Sequence, residues 1–320
     1  MIALAIIFDF LNGIHDSSNI VATMISSRAF SPRVALGVTA VAEFAGPFIF
    51  GVAVATTIGH EVVVADTITL NVLLAALVSA IIWNLLTWFL GIPSSSSHAL
   101  IGGLVGAVAF SAGIEAILVT GIGKVLIALF LSPILGLFLG YIFTRLIFFL
   151  ARGASPKINS FFRRSQIITA IALALSHGTN DAQKTMGIIT LGLVTAGVIP
   201  TFEVPVWVIA VSAGAISLGT AFGGWRLIKT LGSKFYKIRP VHGFSSQLTS
   251  AFVILGASIV GGPVSTTQVV SSSIMGVGSA ERINMVRWGV AKDIMVAWLV
   301  TIPATAAFAA GIYWLIEKLL

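Results

Sequence analysis

The chain has 320 residues, of which 57% are hydrophobic and only 9% charged. Soluble domains carry about a quarter charged residues, so this composition excludes a water-soluble enzyme and leaves lipid as the main solvent. The net charge of +7 does not point to nucleic acid, because its Lys and Arg fall in short loops and form no basic face.

A helix needs about 20 residues to cross the hydrocarbon core, and the apolar runs here are too long and continuous for an outer-membrane barrel. They lie at about 1–25, 33–58, 68–90, 93–112, 121–150, 166–195, 205–228, 240–260, 263–279 and 286–316. They predict an all-α polytopic protein of about 10 segments, multi-pass in the cell (inner) membrane, with the lipid bilayer as its partner. The run at Met1 lacks a basic leader, so no cleavable signal is expected. Without cysteine there are no disulfides and no thiolate metal sites.

Loop charges set the predicted sides of the membrane. Arg28 and Arg33 flank the first loop, Arg152, Lys157, Arg163 and Arg164 crowd residues 151–165, and Arg226, Lys229, Lys234, Lys237 and Arg239 crowd 226–239. Glu61 and Asp66 lie at 59–67, and Glu203 at 195–205. Basic loops stay in the cytoplasm, which places the two acidic loops outside and gives the halves opposite orientation. Segments 1–25 and 166–195 carry polar clusters, while 93–112 and 263–279 are short and open on Pro and hydroxyls. All four are expected to be broken or re-entrant, a form lipid permits only where protein or water satisfies the backbone.

An internal repeat supports the same division. Asn12-Gly13-Ile14-His15-Asp16-Ser17-Ser18-Asn19 precedes His177-Gly178-Thr179-Asn180-Asp181-Ala182-Gln183-Lys184 by 165 residues. Gly91-Ile92-Pro93-Ser94-Ser95-Ser96-Ser97-His98 precedes Gly261-Gly262-Pro263-Val264-Ser265-Thr266-Thr267-Gln268 by 170. Five segments per half is an odd number, so a duplicated unit inserts upside down. The expected organisation is two inverted repeats, 1–150 and 166–320, around a short basic cytoplasmic linker at 151–165. Inverted repeats with interrupted helices point to a secondary transporter with its site near the midplane.

The paired motifs suggest the chemistry. A carboxylate at the bilayer centre costs about 2.5–3.5 kcal/mol, so Asp16 and Asp181 should face a cavity and have partners. Around them Asn19, Ser17 and Ser18, and Thr179, Asn180 and Gln183, offer oxygen ligands that suit Na⁺ and no soft metal. Lys184 takes the place of Asn19 in the second copy; it either pairs with Asp181, faces an anion or snorkels. Ser95, Ser96, Ser97 and His98, and Ser265, Thr266, Thr267 and Gln268, follow a Pro at predicted helix starts. Two such N-termini facing each other would hold a tetrahedral oxyanion. Glu43 is a further candidate by its mid-segment location, with Gln247 less so. Asn12, Asn84 and His177 read as interhelical glue, His15 and His98 as groups able to titrate near neutral pH, and Asp9 as interfacial. No nucleotide motif is present, so energy is expected from an ion gradient and no cofactor is needed.

The first and second acidic motifs, extended through Thr185-Met186-Gly187, and Gly262-Pro263-Val264-Ser265-Thr266-Thr267 resemble the signatures of the inorganic phosphate transporter family. The resemblance covers essentially the whole chain. It implies cation-coupled import of inorganic phosphate, with essential acids at Asp16, Asp181 and Glu43. Gln247 stands where some members have an acid, and His15 where others have Asn, so Na⁺ and H⁺ both stay open as coupling ion. The long hydrophilic insert of many relatives is missing at 151–165. The expected function is therefore Na⁺:phosphate symport, with Na⁺ at Asp16, Asn19, Asn180, Asp181 and Gln183 and phosphate at the two hydroxyl clusters, and with a homodimer as the candidate assembly. An H⁺-coupled phosphate or sulfate permease is the alternative within this fold, and a passive anion channel the alternative outside it.

Overall fold

The computed structural model describes residues 1–64, 67–223 and 238–319. Asp66 and the basic residues Arg226, Lys229, Lys234 and Lys237 lie outside the described residues, and with them the sequence-based reading of most of the 226–239 loop. The described residues fold into helices: α1 (Ile2–Ser26), α2 (Pro32–Phe50), α3 (Ala53–His60), α4 (Leu70–Leu90), α5 (Ser96–Ala112), α6 (Val119–Leu150), α7 (Ile158–Thr195), α8 (Val206–Phe222), α9 (Pro240–Ile259), α10 (Thr266–Glu281) and α11 (Trp288–Leu319). Among them only an isolated bridge between Val63 and Ile117 has β geometry.

Two expected breaks do not occur. α1 and α7 run unbroken through their polar centres, contrary to the prediction for 1–25 and 166–195. The hydroxyls make a break unnecessary: Ser17 Oγ donates to the Ile14 carbonyl at 2.8 Å and Ser18 Oγ to that of His15 at 3.1 Å. The remaining polar side chains meet other helices, not lipid, so the backbone keeps its own bonds. A break does occur where none was expected. The run at 33–58 divides at Gly51, whose φ of 82° is a left-handed value that glycine adopts without strain. The 151–165 linker is also shorter than read, because α7 begins at Ile158 and takes in Arg163 and Arg164.

The two short segments are arms of hairpins. α4 ends at Gly91 (φ 70°), Pro93 follows, and Ser95 caps α5. α9 is followed by Gly261 (φ 73°) and Pro263, and Ser265 caps α10. Each hairpin returns to the end at which it entered. Beyond α5, the Leu118 amide donates to the Val62 carbonyl at 3.1 Å and Lys124 pairs with Glu61 at 2.9 Å, beside the start of α4. At the end of α10, Glu281 pairs with Arg239 and lies 2.7 Å from His242, at the start of α9.

Packing interleaves the halves. α6 lies against α9 and α10, and α11 against α4 and α5; α1 packs on α8, and α7 on α2 and α9. Glycines mark where backbones touch. A Cβ on Gly13 would come 2.0 Å from the Ile216 carbonyl oxygen, and one on Gly178 would come 2.0 Å from that of Glu43. Gly106 meets the Ala306 carbonyl at 2.3 Å and Gly276 that of Leu137 at 2.1 Å in the same sense. Small residues let helices approach this closely where lipid supplies no hydrophobic drive. The outer faces of α6 and α11 expose Ile127, Ile134, Phe138, Leu299 and Leu315, as lipid contact requires.

Two apolar clusters bracket the polar layer. One takes Ala5 and Phe8 of α1 with Met186 and Ile188 of α7, packed with α3, α4 and α5. The other takes Ile20 and Met24 of α1 with Ala170 and Leu173 of α7, packed with α9 and α10. The residues between these positions on α1 and α7 hold the two acidic motifs, so the fold seals the motifs from both ends.

Candidate functional site

α1 and α7 carry the acids, and the starts of α5 and α10 carry the hydroxyls. Asp16 is fully buried. Its Oδ1 accepts from Asn19 Nδ2 at 2.7 Å and from Thr267 Oγ1 at 2.8 Å, while Ser96 Oγ donates to Oδ2 at 3.4 Å. His15 Nδ1 stands 3.4 Å from the same carboxylate. Asp181, equally buried, accepts from Thr266 Oγ1 at 2.9 Å and from Lys184 Nζ. Lys184 also donates to Ser97 Oγ at 2.5 Å and to the Val264 carbonyl at 2.9 Å. The predicted pairing of Lys184 with Asp181 is therefore present.

α5 and α10 meet start to start. Ser95 Oγ accepts the His98 amide at 3.1 Å, and Ser265 Oγ accepts the Gln268 amide at 3.3 Å. His98 Nδ1 lies 2.6 Å from Ser95 Oγ, and its Nε2 lies 3.4 Å from Gln268 Nε2. Ser97 Oγ donates to the Val264 carbonyl at 2.9 Å, joining one hairpin to the other. First-turn amides have no acceptor within their own helix, so those of Ser96, Ser97, Thr266 and Thr267 form two positive ends. The hydroxyls at those ends touch the acids, which brings anion-type and cation-type groups within one hydrogen bond.

His177, read from the sequence as interhelical glue, lies at the centre of the buried acids. Its Nδ1 lies 2.5 Å from Glu43 Oε1, and its Nε2 lies 3.1 Å from Asp181 Oδ2 and 3.8 Å from Asp16 Oδ2. Ligand atoms of Asp16, His177 and Asp181 all fall within 4.8 Å of one another. The ring thus ties Glu43 on α2 to both acidic motifs. The signal available in sequence was the spacing: His177, Asp181 and Lys184 share one face of a helix at intervals of four and three.

Other predicted residues are placed elsewhere. Gln183 sits at the start of α3, where its Oε1 accepts the Val54 amide at 2.7 Å and the Ala55 amide at 3.2 Å. Its Nε2 donates to the Gly51 carbonyl at 2.5 Å, so it serves as a remote helix cap and its oxygen has no capacity for a cation. Asn180 ties α7 to the second hairpin, donating to Ser258 Oγ at 2.8 Å and accepting the Val264 amide at 3.3 Å. Gln247 lies apart from the acids; it accepts from Thr169 Oγ1 at 2.7 Å and donates to Thr23 Oγ1 at 3.0 Å, bridging α9, α7 and α1. Asp9 is not interfacial. It is fully buried and accepts from Thr185 Oγ1 at 2.5 Å, because α1 starts at Ile2 and has packed on α7 by that point.

Several buried acceptors are without a hydrogen-bond partner among the described residues, four of them Asn12 Oδ1, Asn19 Oδ1, Glu43 Oε2 and Gln268 Oε1. An unmet buried acceptor costs about 1–3 kcal/mol, which a bound cation or water recovers. Two of the four are on α1 in the first acidic motif. In the second motif, the carboxamides of Asn180 and Gln183 and both oxygens of Asp181 are engaged.

A family model described as the phosphate transporter family matches residues 12–157 and 150–309. The chain is 45% identical to the probable low-affinity inorganic phosphate transporter of Bacillus subtilis (strain 168), over 98% of this chain and 96% of that one. It is 43% identical to the protein of the same description from Rhizobium meliloti (strain 1021), over 98% and 95%. A solved structure described as the sodium-dependent phosphate transporter aligns with a TM-score of 0.90 at 26% identity, covering 100% of this chain and 98% of that one. With both acidic motifs and both hydroxyl-capped hairpins inside the matched regions, the chain belongs to the phosphate transporter family and is a membrane transporter, not an enzyme.

Proposed function

We propose that the chain imports inorganic phosphate across the cell membrane by Na⁺ symport, with alternating access between two inverted repeats. The observation that carries this reading is the meeting of hydroxyl-capped helix starts with buried carboxylates. Thr267 and Ser96 reach Asp16, and Thr266 reaches Asp181. Phosphate would take the amides and hydroxyls of residues 95–97 and 265–267, with His98 and Gln268 where the two helices meet. Na⁺ would sit on the acids, with Asn19 Oδ1 as a ready ligand. A phosphate in this position lies against two carboxylates, so each ligand binds well only when the other is present. That dependence is what coupling requires. The relative described as sodium-dependent supports Na⁺. The inverted-repeat reading is supported by the contacts that recur in exchanged form, Gly13 with Ile216 against Gly178 with Glu43, and Gly106 with Ala306 against Gly276 with Leu137. Arg163, Arg164 and Arg28 would mark the cytoplasmic end and Glu61 the outer end.

Proton coupling is the second reading, favoured by the buried link from Glu43 through His177 to Asp181. Uptake of labelled phosphate into proteoliposomes, with Na⁺ and pH gradients imposed separately, distinguishes the two. Na⁺-driven accumulation is expected, with unlabelled phosphate competing and sulfate not. Uptake that follows only the pH gradient assigns the proton instead, and uptake that never exceeds equilibrium assigns a channel. Asp16→Asn is expected to abolish accumulation in a protein that still reaches the membrane; normal uptake by that variant removes Asp16 from the mechanism.

A further inference from the structure

The two acidic motifs occupy matching places yet carry different charge, and the difference falls on one position. Asn19 Nδ2 donates to Asp16 Oδ1 at 2.7 Å and to Thr267 Oγ1, on the opposite hairpin, at 3.0 Å. Lys184, the residue that aligns with Asn19, donates to Asp181 Oδ1 and to Ser97 Oγ, again on the opposite hairpin, at 2.5 Å. Ser97 and Thr267 are themselves counterparts in the repeat. The same two bonds are thus made in both halves, by a neutral amide in one and an ammonium in the other. Lys184 adds a third bond, to the Val264 carbonyl at 2.9 Å, and only 2% of it is exposed. An ammonium with three oxygen acceptors in a sealed site stands where a bound cation would stand.

The unmet acceptors point the same way independently. The first motif retains buried oxygens without partners, at Asn12 and Asn19. In the second, the oxygens of the carboxylate and of both carboxamides already have donors, and Lys184 is one of them. The first motif is short of positive charge and the second has it built in.

We infer that Lys184 is a tethered cation that replaces a mobile one at Asp181, so that of the paired acidic sites only Asp16 takes up a coupling ion in each cycle. This rests on the symport reading above and determines its stoichiometry. It makes Lys184 a positioning residue as well, since it links α7 to both hairpins whether or not substrate is bound. The asymmetry has a physical rationale. A permanently held charge needs no dehydration when the site closes, whereas each mobile cation must shed water to enter.

The test counts ions. Purified protein in proteoliposomes, driven by a Na⁺ gradient, is given ²²Na⁺ and ³²P-labelled phosphate together, and the initial fluxes are compared. A ratio of about one Na⁺ per phosphate is expected for the wild type, with uptake first order in Na⁺. Lys184→Asn restores the amide of the other copy and leaves Asp181 without its counter-ion. It is expected to raise the ratio to about two and the Na⁺ order with it, at reduced affinity. A wild-type ratio of two, with Na⁺-driven uptake intact, overturns the inference and leaves the symport reading standing. So does an active Lys184→Asn protein whose ratio stays at one. Should that variant not assemble, the wild-type ratio decides alone. Wild-type uptake indifferent to Na⁺ removes the symport reading itself, which is a separate outcome.

Discussion

The α1 and α7 motifs differ little in backbone and greatly in side-chain bonding. A Cβ on Gly13 or on Gly178 would come equally close, 2.0 Å, to a neighbouring carbonyl oxygen, and each motif reaches a hydroxyl-capped helix start. Yet Asn12 faces His177 in the alignment, Ser18 faces Gln183, and Asn19 faces Lys184. Close backbone packing tolerates almost no change at the contact, because the helix spacing is set by the absence of a side chain. Positions that point at the interior tolerate change in charge, provided each buried group still finds a partner. The result is one motif with unmet carboxamide oxygens and one whose carboxylate and carboxamide oxygens all have donors. The comparison separates what holds the helices from what handles ions.

Perturbations should widen or erase that difference. The largest effect is expected from Asp181→Asn, which strands the Lys184 ammonium in a buried site and should destabilise the protein by about 3–5 kcal/mol. The measurement is thermal unfolding in detergent, and Asp181→Asn combined with Lys184→Gln should recover most of the loss. Asp16→Asn, which strands no cation, should unfold close to wild type while losing transport. Adding a methyl at the shared backbone contact should instead treat the two motifs alike: Gly13→Ala and Gly178→Ala are each expected to lose about 1–3 kcal/mol by overpacking. Unequal losses would show that one contact relaxes and the other does not. Gln183→Ala removes the acceptor from the first amides of α3 and should cost about 1 kcal/mol, as other caps do. The aligned Ser18→Ala removes only a bond to its own helix, from Ser18 Oγ to the His15 carbonyl, and should shift the unfolding temperature least of all.

Much of this site is legible in the sequence because the signals are local. Pro93 and Pro263 followed by hydroxyls announce helix starts, and α5 and α10 begin there with Ser95 and Ser265 as caps. Asp16 and Asp181 declare themselves by standing in apolar runs. The errors arise where a partner is distant in the chain. Polar centres suggested broken helices at 1–25 and 166–195, but the partners that make continuous helices tolerable come from α5 and α10. Gln183 looked like a ligand by its neighbourhood, yet its contacts are Gly51, Val54 and Ala55, more than a hundred residues away. His177 looked like glue until α2 brought Glu43 to it.

The sequence by itself determined the solvent, the helical class, the doubled motifs and the family. These follow from composition and short-range order: apolar runs must be helical in lipid, and a charge within one must have a reason. Tertiary structure alone decided that both hairpins return to their own side, that α5 and α10 meet end to end, and that Lys184 and Asn19 reach across to opposite hairpins. A hydrogen bond extends about 3 Å, and no pattern along a chain specifies which distant group will be within it.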